Sequence, residues 1–598
     1  MTGQQLGDGE RSGQQMSESA PLSGVKPGCL RSLMRRLLPP RYWSEVREQC
    51  LVAGPVCLSQ LMEYLISIVS SIFCGHLGKI ELDAVTLAVA VINVTGISVG
   101  SGLASACDTL MSQTYGGKNL KRVGTILQRG ILILMLFCFP CWAVFINTEH
   151  LLLLCGQNPD VARLTQTYVM IFIPALPAIF LYQLQIRYLQ SQGIMWPQVI
   201  TGLVVNLTNV AVNAIFIYGL NLGVLGGAWA NTISHYALTG VLLGYIILRK
   251  LHLSTWGGWS RDCLQEWGAF VRLAIPSMLM VCIEWWSFEI GGFLAGIISV
   301  AELGAQAIIL HLVTIAYQIP VGFGVAASVR IGNALGAGDV EQAKTSYTVT
   351  LLCIGFCALL TSSLMAALKN VIAYIFTNDR EIAALVSRIM LIVAPFHLFD
   401  AVAGTCGGIL RGAGKQKIGA ITNAVGYYLL GLPIGISLMF AAKLGVVGLW
   451  CGMIFPIVLQ VLVFISYILR MDWDKACEEA QVRAGVKSNK NHLELSILQL
   501  ETSSTGFGMV ANGDVQSFKS LYPVVAQDIT GAVILPDAVY HENHSEHLVL
   551  EDESSELSNI VGEVLSAKQL ILRRGLALCL AVFVLLAGVI IKILIGNG

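Results

Sequence analysis

Charged residues are scarce in this sequence. Of 598 residues, 37 are basic and 37 are acidic, so 12% of the chain is charged, against about 25% in a typical soluble domain. The two signs cancel, and so few cations provide no broad surface for a nucleic-acid backbone. These shortages exclude a water-soluble enzyme of this length and a nucleic-acid partner, and we predict that the protein is not an enzyme.

Motifs for a metal, a nucleotide or a disulfide framework are also missing. Most of the 16 cysteines lie within apolar runs, where cysteine is usually a small buried hydrophobe. Cys138 and Cys141 have the spacing of metal ligands, but no second pair accompanies them. The stretch Gly412–Lys415 resembles a phosphate loop, yet Ile409 stands where its first glycine belongs and Gln416 follows the lysine. We therefore predict no metal and no cofactor.

In contrast, the sequence is rich in long apolar runs. Hydrophobic residues make up 55% of the chain, and the mean hydropathy is +0.69. A helix needs roughly 20 apolar residues to cross a bilayer, and only helices or closed barrels satisfy every backbone group in lipid. We predict an all-α polytopic membrane protein with thirteen spans, at 51–74, 84–108, 123–146, 164–186, 197–218, 224–248, 268–295, 303–327, 347–368, 382–405, 418–441, 444–469 and 570–595.

The distribution of basic residues predicts the orientation. If the amino terminus is cytoplasmic, the inner loops contain twelve Lys and Arg residues and the outer loops five, and short cytoplasmic loops carry such an excess. We expect a cytoplasmic tail over 1–45, a first lobe over 46–250 and a second lobe over 251–469. A cytoplasmic, disordered segment is expected over 470–568, followed over 569–598 by a last span with an extracellular carboxyl terminus.

Spans 1 to 6 and spans 7 to 12 are two copies of one unit. Residues recur at a displacement of about 221, among them the pairs Pro55 and Pro276, Glu63 and Glu284, Gly75 and Gly296, Pro174 and Pro395, and, with a slip of one residue, Gly116 and Gly336. Because six is even, both copies enter the membrane from the same side, so a pseudo-two-fold axis along the membrane normal relates them. Two such bundles around a cleft are typical of alternating access.

Acidic side chains inside the second copy are the strongest functional signal. An ionised side chain at the centre of a bilayer costs roughly 2.5–3.5 kcal/mol on insertion scales, so it usually faces a cavity or a partner. Span 7 carries Glu284 and Glu289, whose spacing places them about 140° apart. Span 10 carries His397 and Asp400, one turn apart on one face. We predict that the carboxyls form a pocket for protons or a cationic solute; the alternative role is to cap or cross-link helices.

Aromatic and imidazole side chains are predicted to complete this pocket. Span 8 supplies His311 and Tyr317. The rings of Trp285, Trp286 and Tyr317 offer π-faces to an organic cation. The alternative role for these aromatic rings is ordinary packing or anchoring at the membrane interface.

Polar residues of the first copy are weaker candidates. Amides in membrane helices more often bridge helices than bind solutes, and from this set we select Asn93 and Gln60. Asp108 lies near Lys118 and Lys121 at the end of span 2. From that position we predict that Asp108 has a structural role, in an ion pair or as a helix cap.

Longer stretches of the chain resemble one family of transporters. They are Phe73–Ala88, Ser105–Gln113, Ile275–Met280, Glu284–Trp286, Val329–Gly338 and Gly408–Gly412. From about Val46 to Arg470, the chain resembles the multidrug and toxin extrusion family, and specifically its vertebrate solute-carrier branch. The extra carboxyl-terminal helix also fits that branch.

The resemblance implies a two-lobed, V-shaped antiporter that expels organic cations in exchange for protons. It also implies a multi-pass protein of the plasma membrane, typically at the apical surface of kidney and liver cells. By position, Glu284, Glu289 and Asp400 match carboxyls that function in the family, and Asn93 matches a polar position of the span 2 motif.

Two positions depart from the family pattern. His311 occupies a position where this branch is expected to carry a glutamate, and an imidazole there would shift the pH optimum. Ser70 occupies a position where many microbial relatives carry an aspartate. Glu63, about two turns before Ser70, is an unusual acid that either compensates or is incidental.

We therefore hypothesise that the protein exports small organic cations in exchange for protons, as a monomer and without a cofactor. In the outward-open state protons load the second-lobe carboxyls and the cation is released, and the inward-open state reverses the exchange. Three alternatives remain. They are a sodium-coupled exporter of the same architecture, a lipid-linked flippase, which would need a strongly cationic cleft, and a receptor or scaffold, against which the internal repeat argues.

Overall fold

The computed structural model describes residues 40–377, 379–486 and 565–596, and these residues form helices and no strands. Predictions for the tail before residue 40 and for 487–564 lie outside the described residues. The helices are α1 (Arg41–Cys74), α2 (Ile80–Gly116), α3 (Leu120–Ile146), α4 (Pro159–Phe172 with Ala175–Ser191), α5 (Trp196–Gly219), α6 (Val224–Leu248), α7 (Trp267–Ile298), α8 (Val300–Ala337), α9 (Val340–Leu368), α10 (Arg380–Ala413), α11 (Gln416–Ala441), α12 (Val446–Arg470), α13 (Trp473–Ala484) and α14 (Ala567–Ile595).

The number of spans agrees with the prediction. Twelve described helices are long and apolar enough to cross a membrane, and α4 makes a thirteenth if its two segments form one span. The two segments of α4 meet at 55°, whereas the sequence predicted a single helix there. Pro174 stands at the junction, where it removes a backbone donor and crowds the preceding turn. That is the physical reason for the bend.

Each set of six spans has its own hydrophobic core. The core of α1 to α6 includes Phe145 and Tyr168, and that of α7 to α12 includes Phe396 and Trp450. The rings of Phe396 and Trp450 meet edge to face, 5.2 Å apart at 82°. Because lipid tails are as apolar as these side chains, close packing stabilises the bundles. The chain is therefore built from two six-helix lobes.

The lobes meet at positions that the internal repeat relates. Gly102 of α2 packs against the backbone of Met278 on α7. In the equivalent place, Gly322 of α8 packs against Cys57 of α1. Gly322 lies about 221 positions after Gly102, and Met278 lies 221 positions after Cys57. The repeat therefore relates the two glycines to each other and their two partners to each other. The two contacts are therefore related by a pseudo-two-fold axis.

The lobes are in contact at the face where α1 begins, which we call the near face. There the Arg330 guanidinium of α8 donates two hydrogen bonds of 2.5 Å to the Glu45 carboxylate of α1. Gln113 of α2 donates to the Gly412 carbonyl of α10 at 2.9 Å. Charge-assisted bidentate pairs are among the stronger hydrogen bonds. These contacts hold the near face closed.

The cleft between the lobes opens toward the opposite face, which we call the far face. Cys282, Trp286 and Phe293 lie along one stripe of α7, which faces the first lobe. Their exposed fractions rise from 1% at Cys282 to 36% at Trp286 and 45% at Phe293. The stripe therefore leaves the interface between the lobes as it approaches the far face.

Helix α13 corrects part of the prediction for 470–568. The segment was expected to be disordered, but Trp473–Ala484 is a helix. The Asp472 side chain caps its first turn by accepting from the Lys475 amide at 3.0 Å. Gly485, with φ 78°, ends it in the left-handed conformation that glycine adopts easily. A search for apolar runs misses such a polar helix.

Helix α14 packs on the first lobe. Its Gly588 carbonyl accepts a hydrogen bond of 2.9 Å from Asn147, which follows α3. The guanidinium of Arg574 lies 4.3 Å from the centroid of the Trp267 ring, a cation–π distance. Helix α14 therefore has one specific contact with the first lobe and another with the first residue of α7.

Candidate transport site

Four helices of the second lobe bring together two carboxyls and two tyrosines. These residues, Glu284 of α7, Tyr317 of α8, Asp400 of α10 and Tyr427 of α11, are the second-lobe cluster. The Tyr317 hydroxyl donates to Oε1 of Glu284 at 2.9 Å. Asp400 is 3% exposed and lies beside the Tyr427 hydroxyl, within electrostatic range of Glu284. Three members were predicted, whereas Tyr427 was missed because an aromatic residue in an apolar run is ordinary.

A glycine makes room for one of the two tyrosines. Gly404 lies on α10, one turn after Asp400. The hydroxyl of Tyr317 occupies the space that a Cβ at position 404 would fill. The phenol can therefore pass the backbone of α10 and reach Glu284, which a larger residue at 404 would prevent.

Glu289 lies away from the cluster, on the side of α7 that faces the first lobe. Cys282, two turns earlier and within about 20° on the helix, donates from its thiol to the Ser98 hydroxyl of α2 at 3.6 Å. Glu289 is exposed, as is Trp285, whose exposed fraction is 40%. Glu284 and Glu289 thus point in different directions, as their spacing indicates. Glu284 faces its own lobe and Glu289 faces the cleft.

Asn93 begins a π-helical segment in the middle of α2. The segment spans Asn93–Ile97, and the amide of Ser98 bonds to the Asn93 carbonyl five residues back. The Val94 carbonyl is then available to accept a hydrogen bond of 2.9 Å from the indole of Trp286. π-Segments often occur at functional sites. Asn93 itself is half-buried, and it lies next to this contact between the lobes.

His311 forms a second contact between the lobes. Its Nδ1 lies 2.6 Å from the Tyr64 hydroxyl of α1, and its ring stacks on Phe376 at an interplanar angle of 2°. Gln60 is half-buried one turn before Tyr64, so it lies on the same face of α1. The predicted residues His311 and Gln60 are therefore close to the cleft but outside the second-lobe cluster.

His397 does not join Asp400, although the two were predicted on one face. The Nε2 atom of His397 lies 3.1 Å from the Thr361 hydroxyl of α9, and the residue is fully buried. Residues three positions apart on a helix differ by about 60° in direction. In a closely packed lobe that difference is enough to turn the two side chains toward different neighbours.

Asp108 forms an ion pair, but not with the predicted lysines. Its carboxylate lies 3.1 Å from Arg187 of the first lobe and 4.0 Å from Arg411 of α10. Lys118 lies beyond the end of α2, more than two turns from Asp108, which is the reason for the difference. Arg411 also lies within electrostatic range of Glu284. The sequence analysis counted it only as a loop cation.

A neutral network surrounds Ser70 in the first lobe. The Ser70 hydroxyl donates to the Asn231 carbonyl oxygen at 2.7 Å and accepts from the Asn213 amide at 3.2 Å. The Asn231 amide donates to the Tyr168 hydroxyl at 2.6 Å. All four residues are buried, so uncharged hydrogen bonds occupy the place where microbial relatives are expected to carry an acid.

The acid of the first lobe is Glu63. The Gln183 amide donates to its Oε1 at 3.2 Å, and Arg187 is within electrostatic range. Glu63 and Asp108 therefore share a cation in the first lobe. In the described parts of the chain no group of three His, Cys, Asp or Glu residues could hold a metal ion.

Two six-helix lobes around a cleft, with buried carboxyls beside it, define a two-lobed membrane transporter. The MatE family model matches the chain twice, at 55–215 and 276–436, so the matches are related by the displacement of the internal repeat. The chain belongs to the multidrug and toxin extrusion (MATE) family. It is a transporter and not an enzyme.

Relatives of the chain match it over nearly its whole length. It is similar to multidrug and toxin extrusion protein 2 of Mus musculus, with 58% identity over 94% of this chain and 95% of the relative. It is also similar to multidrug and toxin extrusion protein 1 of Homo sapiens, with 51% identity over 96% of this chain and 98% of the relative.

Solved structures share the fold. The crystal structure of the eukaryotic MATE transporter AtDTX14 matches with a TM-score of 0.72 and 30% identity, and covers 74% of this chain and 100% of that one. The crystal structure of the Vibrio cholerae MATE transporter VcmN in the bent form matches with a TM-score of 0.63 and 17% identity, over 74% of this chain and 99% of that one.

Proposed function

We propose that the protein exports organic cations in exchange for protons by alternating access at the plasma membrane, with its near face toward the cytoplasm. The observation that carries the proposal is the second-lobe cluster. There two carboxyls, Glu284, which is half-buried, and Asp400, which is buried, lie within electrostatic range of each other. The names of the relatives, multidrug and toxin extrusion proteins, support this choice of substrate.

The chemistry of the cluster favours alternating occupancy. Two ionised carboxylates within electrostatic range of each other, in surroundings of low dielectric, repel each other. Each is also costly to bury without a positive partner. A proton or an organic cation relieves that cost, so the two compete for the same acids. Exposed indole faces at Trp285 and Trp286 add favourable contacts for an organic cation. Competition for one site is the basis of exchange.

Arg411 couples the cluster to the closed near face. It belongs to the second lobe, pairs with Asp108 of the first lobe and is attracted by Glu284. While Glu284 is ionised, two anions stabilise the buried guanidinium in this arrangement. Protonation of Glu284 removes one of them, which weakens the near-face contact. The near face therefore opens after protons have been loaded from the far face.

Uptake into proteoliposomes tests the proposed exchange. With the full chain reconstituted, we expect a fluorescent organic cation to move against an imposed proton gradient. For one-to-one exchange, one pH unit supports about a tenfold concentration ratio of the cation. The measurement is the steady-state accumulation ratio at gradients of zero, one and two pH units.

The controls distinguish the rival functions. Collapse of the pH gradient with a protonophore should abolish accumulation, and an added sodium gradient should not restore it. Accumulation that follows sodium and ignores pH would contradict proton coupling and identify the sodium-coupled exporter. Transfer of a lipid-linked sugar without movement of the cation would identify the flippase.

Glu289 is predicted to affect binding of the cation more than proton coupling. The Glu289→Gln change removes an exposed charge from the cleft. Solvent there weakens the attraction between this charge and the cation, so the expected effect is moderate. We expect the KM for the organic cation to rise by about three- to tenfold, with an unchanged dependence on the pH gradient. Initial rates over a range of cation concentrations, measured at two pH gradients, check this.

Glu341→Gln is a matched control for Glu289→Gln. Glu341 is an exposed near-face acid whose partner is Lys344, and neutralising it should leave KM unchanged. If Glu289→Gln instead abolished the response to the pH gradient, Glu289 would belong to the proton site and our separation of the two carboxyls would be wrong.

A further inference from the structure

We infer that a cavity at the near face binds the phosphorylated headgroup of an anionic membrane lipid. The cavity has a volume of about 630 Å³ and lies between α13, the beginning of α7 and the turn between α10 and α11. None of the residues that line it belongs to the second-lobe cluster. We call it the near-face cavity.

Most of the charged residues that line the near-face cavity are basic. Four of its residues are basic, Arg272, Lys417, Lys475 and Arg483, and two are acidic, Glu478 and Glu479. Lys415 binds Glu479 at 2.7 Å and Arg483 lies 3.6 Å from it. Among the described residues, the exposed side chains of Arg272, Lys417 and Lys475 have no acidic partner. Three cations are thus free to bind an anion.

The two acids in the lining do not cancel the charge of the four basic residues. Burial by itself raises the pKa of Glu479, but the hydrogen bond and charge of Lys415, together with Arg483, hold that pKa below its ordinary value. Glu479 is therefore an ionised partner of these two cations at neutral pH. Glu479 therefore pairs with Lys415 and Arg483 and not with Arg272, Lys417 or Lys475.

Arg483 provides an additional donor. Its Nη2 atom is buried and has no hydrogen-bond acceptor within the described part of the chain. It lies against Gly414, where an added Cβ would come within 2.7 Å of it. A buried donor without an acceptor is destabilising, and a phosphate oxygen in the near-face cavity would satisfy it. Guanidinium groups are suited to such oxygens.

The position of the cavity favours a lipid as the source of the phosphate. Arg272 is in the second turn of the membrane span α7, and Lys417 is the second residue of α11, so both lie at the level of lipid headgroups. Basic pockets between spans on the cytoplasmic side recognise phosphorylated headgroups of that leaflet. This step rests on the orientation given under the proposed function, with the near face cytoplasmic.

Occupancy of the cavity should favour the closed near face. From α13, Arg483 donates to the Gln113 side chain of the first lobe at 2.8 Å, and the Ala484 carbonyl accepts from Asn119 at 3.1 Å. On the other side, Glu479 binds Lys415 of the second lobe. Because α13 bridges both lobes, a ligand that holds α13 against α7 and α11 stabilises the contact between them.

Binding of short-chain lipids to the purified full-length protein tests the inference. We expect dioctanoyl phosphatidylinositol bisphosphate to bind and dioctanoyl phosphatidylcholine not to bind, as measured by thermophoresis in detergent. The double change Lys417→Gln, Lys475→Gln should weaken binding by roughly 30-fold, from the loss of two cations. Both side chains are exposed, and thermal unfolding of the variant verifies that it folds.

The control removes equal charge from the same face outside the cavity. Lys344→Gln with Arg470→Gln should change the affinity by less than about twofold. Equal binding by both double variants would overturn the site. Soluble inositol trisphosphate that binds as tightly as the lipid would overturn the lipid as the source of the phosphate. These assays measure no transport, so failure of proton coupling would leave their outcome unchanged.

Discussion

Replacement of Glu284 by glutamine should reduce proton-driven uptake of an organic cation by at least about 30-fold. Loss of one partner from a buried charged contact typically removes about 2–5 kcal/mol, and about 1.4 kcal/mol corresponds to a factor of ten. Glu284→Gln keeps the shape of the side chain and an oxygen that can accept from Tyr317. The change therefore removes the proton site and the negative charge and preserves the packing.

Two further variants show whether the carboxyl itself is responsible. Tyr317→Phe removes the donor to Glu284 and leaves the acid, so we expect a smaller loss, of about three- to tenfold, the equivalent of one ordinary hydrogen bond. Glu341→Gln removes an acid with 70% side-chain exposure and should have no effect. Undiminished accumulation by Glu284→Gln at every pH gradient would refute the assignment of the second-lobe cluster.

The spans were predictable because lipid leaves the backbone so few alternatives. Runs of apolar residues in hydrocarbon must form helices, so hydropathy alone predicted thirteen spans. It did not predict the bend of α4 at Pro174, because proline is tolerated in many straight membrane helices. Nor did it predict α13, half of whose residues are polar and whose capping by Asp472 is a local signal.

The candidate site was predictable in part, for a related reason. A carboxyl inside an apolar run is rare and costly, which is why Glu284 and Asp400 stand out in the sequence. Their partners do not stand out. Tyr427 looks like any aromatic residue of a span, and Arg411 looks like a loop cation, yet it lies largely buried between Asp108 and Glu284.

The internal repeat predicted two lobes, but not the residues at which they touch. Gly116 and Gly336 match each other in the repeat, and the structure shows the reason for both glycines. Gly116 lies against the backbone of Asn333, and Gly336 lies against the backbone of Gln113. The backbones of the two lobes touch here, so this contact requires the near face to be closed.

The contact between Gly336 and the backbone of Gln113 predicts a large effect of Gly336→Ala on transport. A Cβ at position 336 would overlap the carbonyl group of Gln113, and backbone cannot move aside as a side chain can. Overpacking of this kind typically costs about 1–3 kcal/mol, all of it in the conformation with the near face closed. We expect the turnover of cation transport to fall by about 5- to 150-fold.

The location of the effect separates a conformational cause from simple loss of stability, because loss of stability would speed up hydrogen exchange throughout the lobe. Alanine is a better helix former than glycine by about 1 kcal/mol, so Gly336→Ala should not unfold α8. Hydrogen exchange of the full-length protein in nanodiscs should become faster at the near-face ends of α2 and α8, because the lobes separate there. Gly116→Ala, at the repeat-related position, should have the same effect.

Gly355→Ala is the matched control for this change. Gly355 lies within α9, and an added Cβ would have no neighbour within 4 Å apart from the adjacent residues and the backbone of its own helix. The same substitution should therefore leave both transport and hydrogen exchange unaltered. Normal turnover in Gly336→Ala, with exchange at the end of α2 as slow as before, would mean that the lobes do not need this close crossing. The closed near face would then depend on the side-chain contacts of Glu45, Asp108 and Arg411.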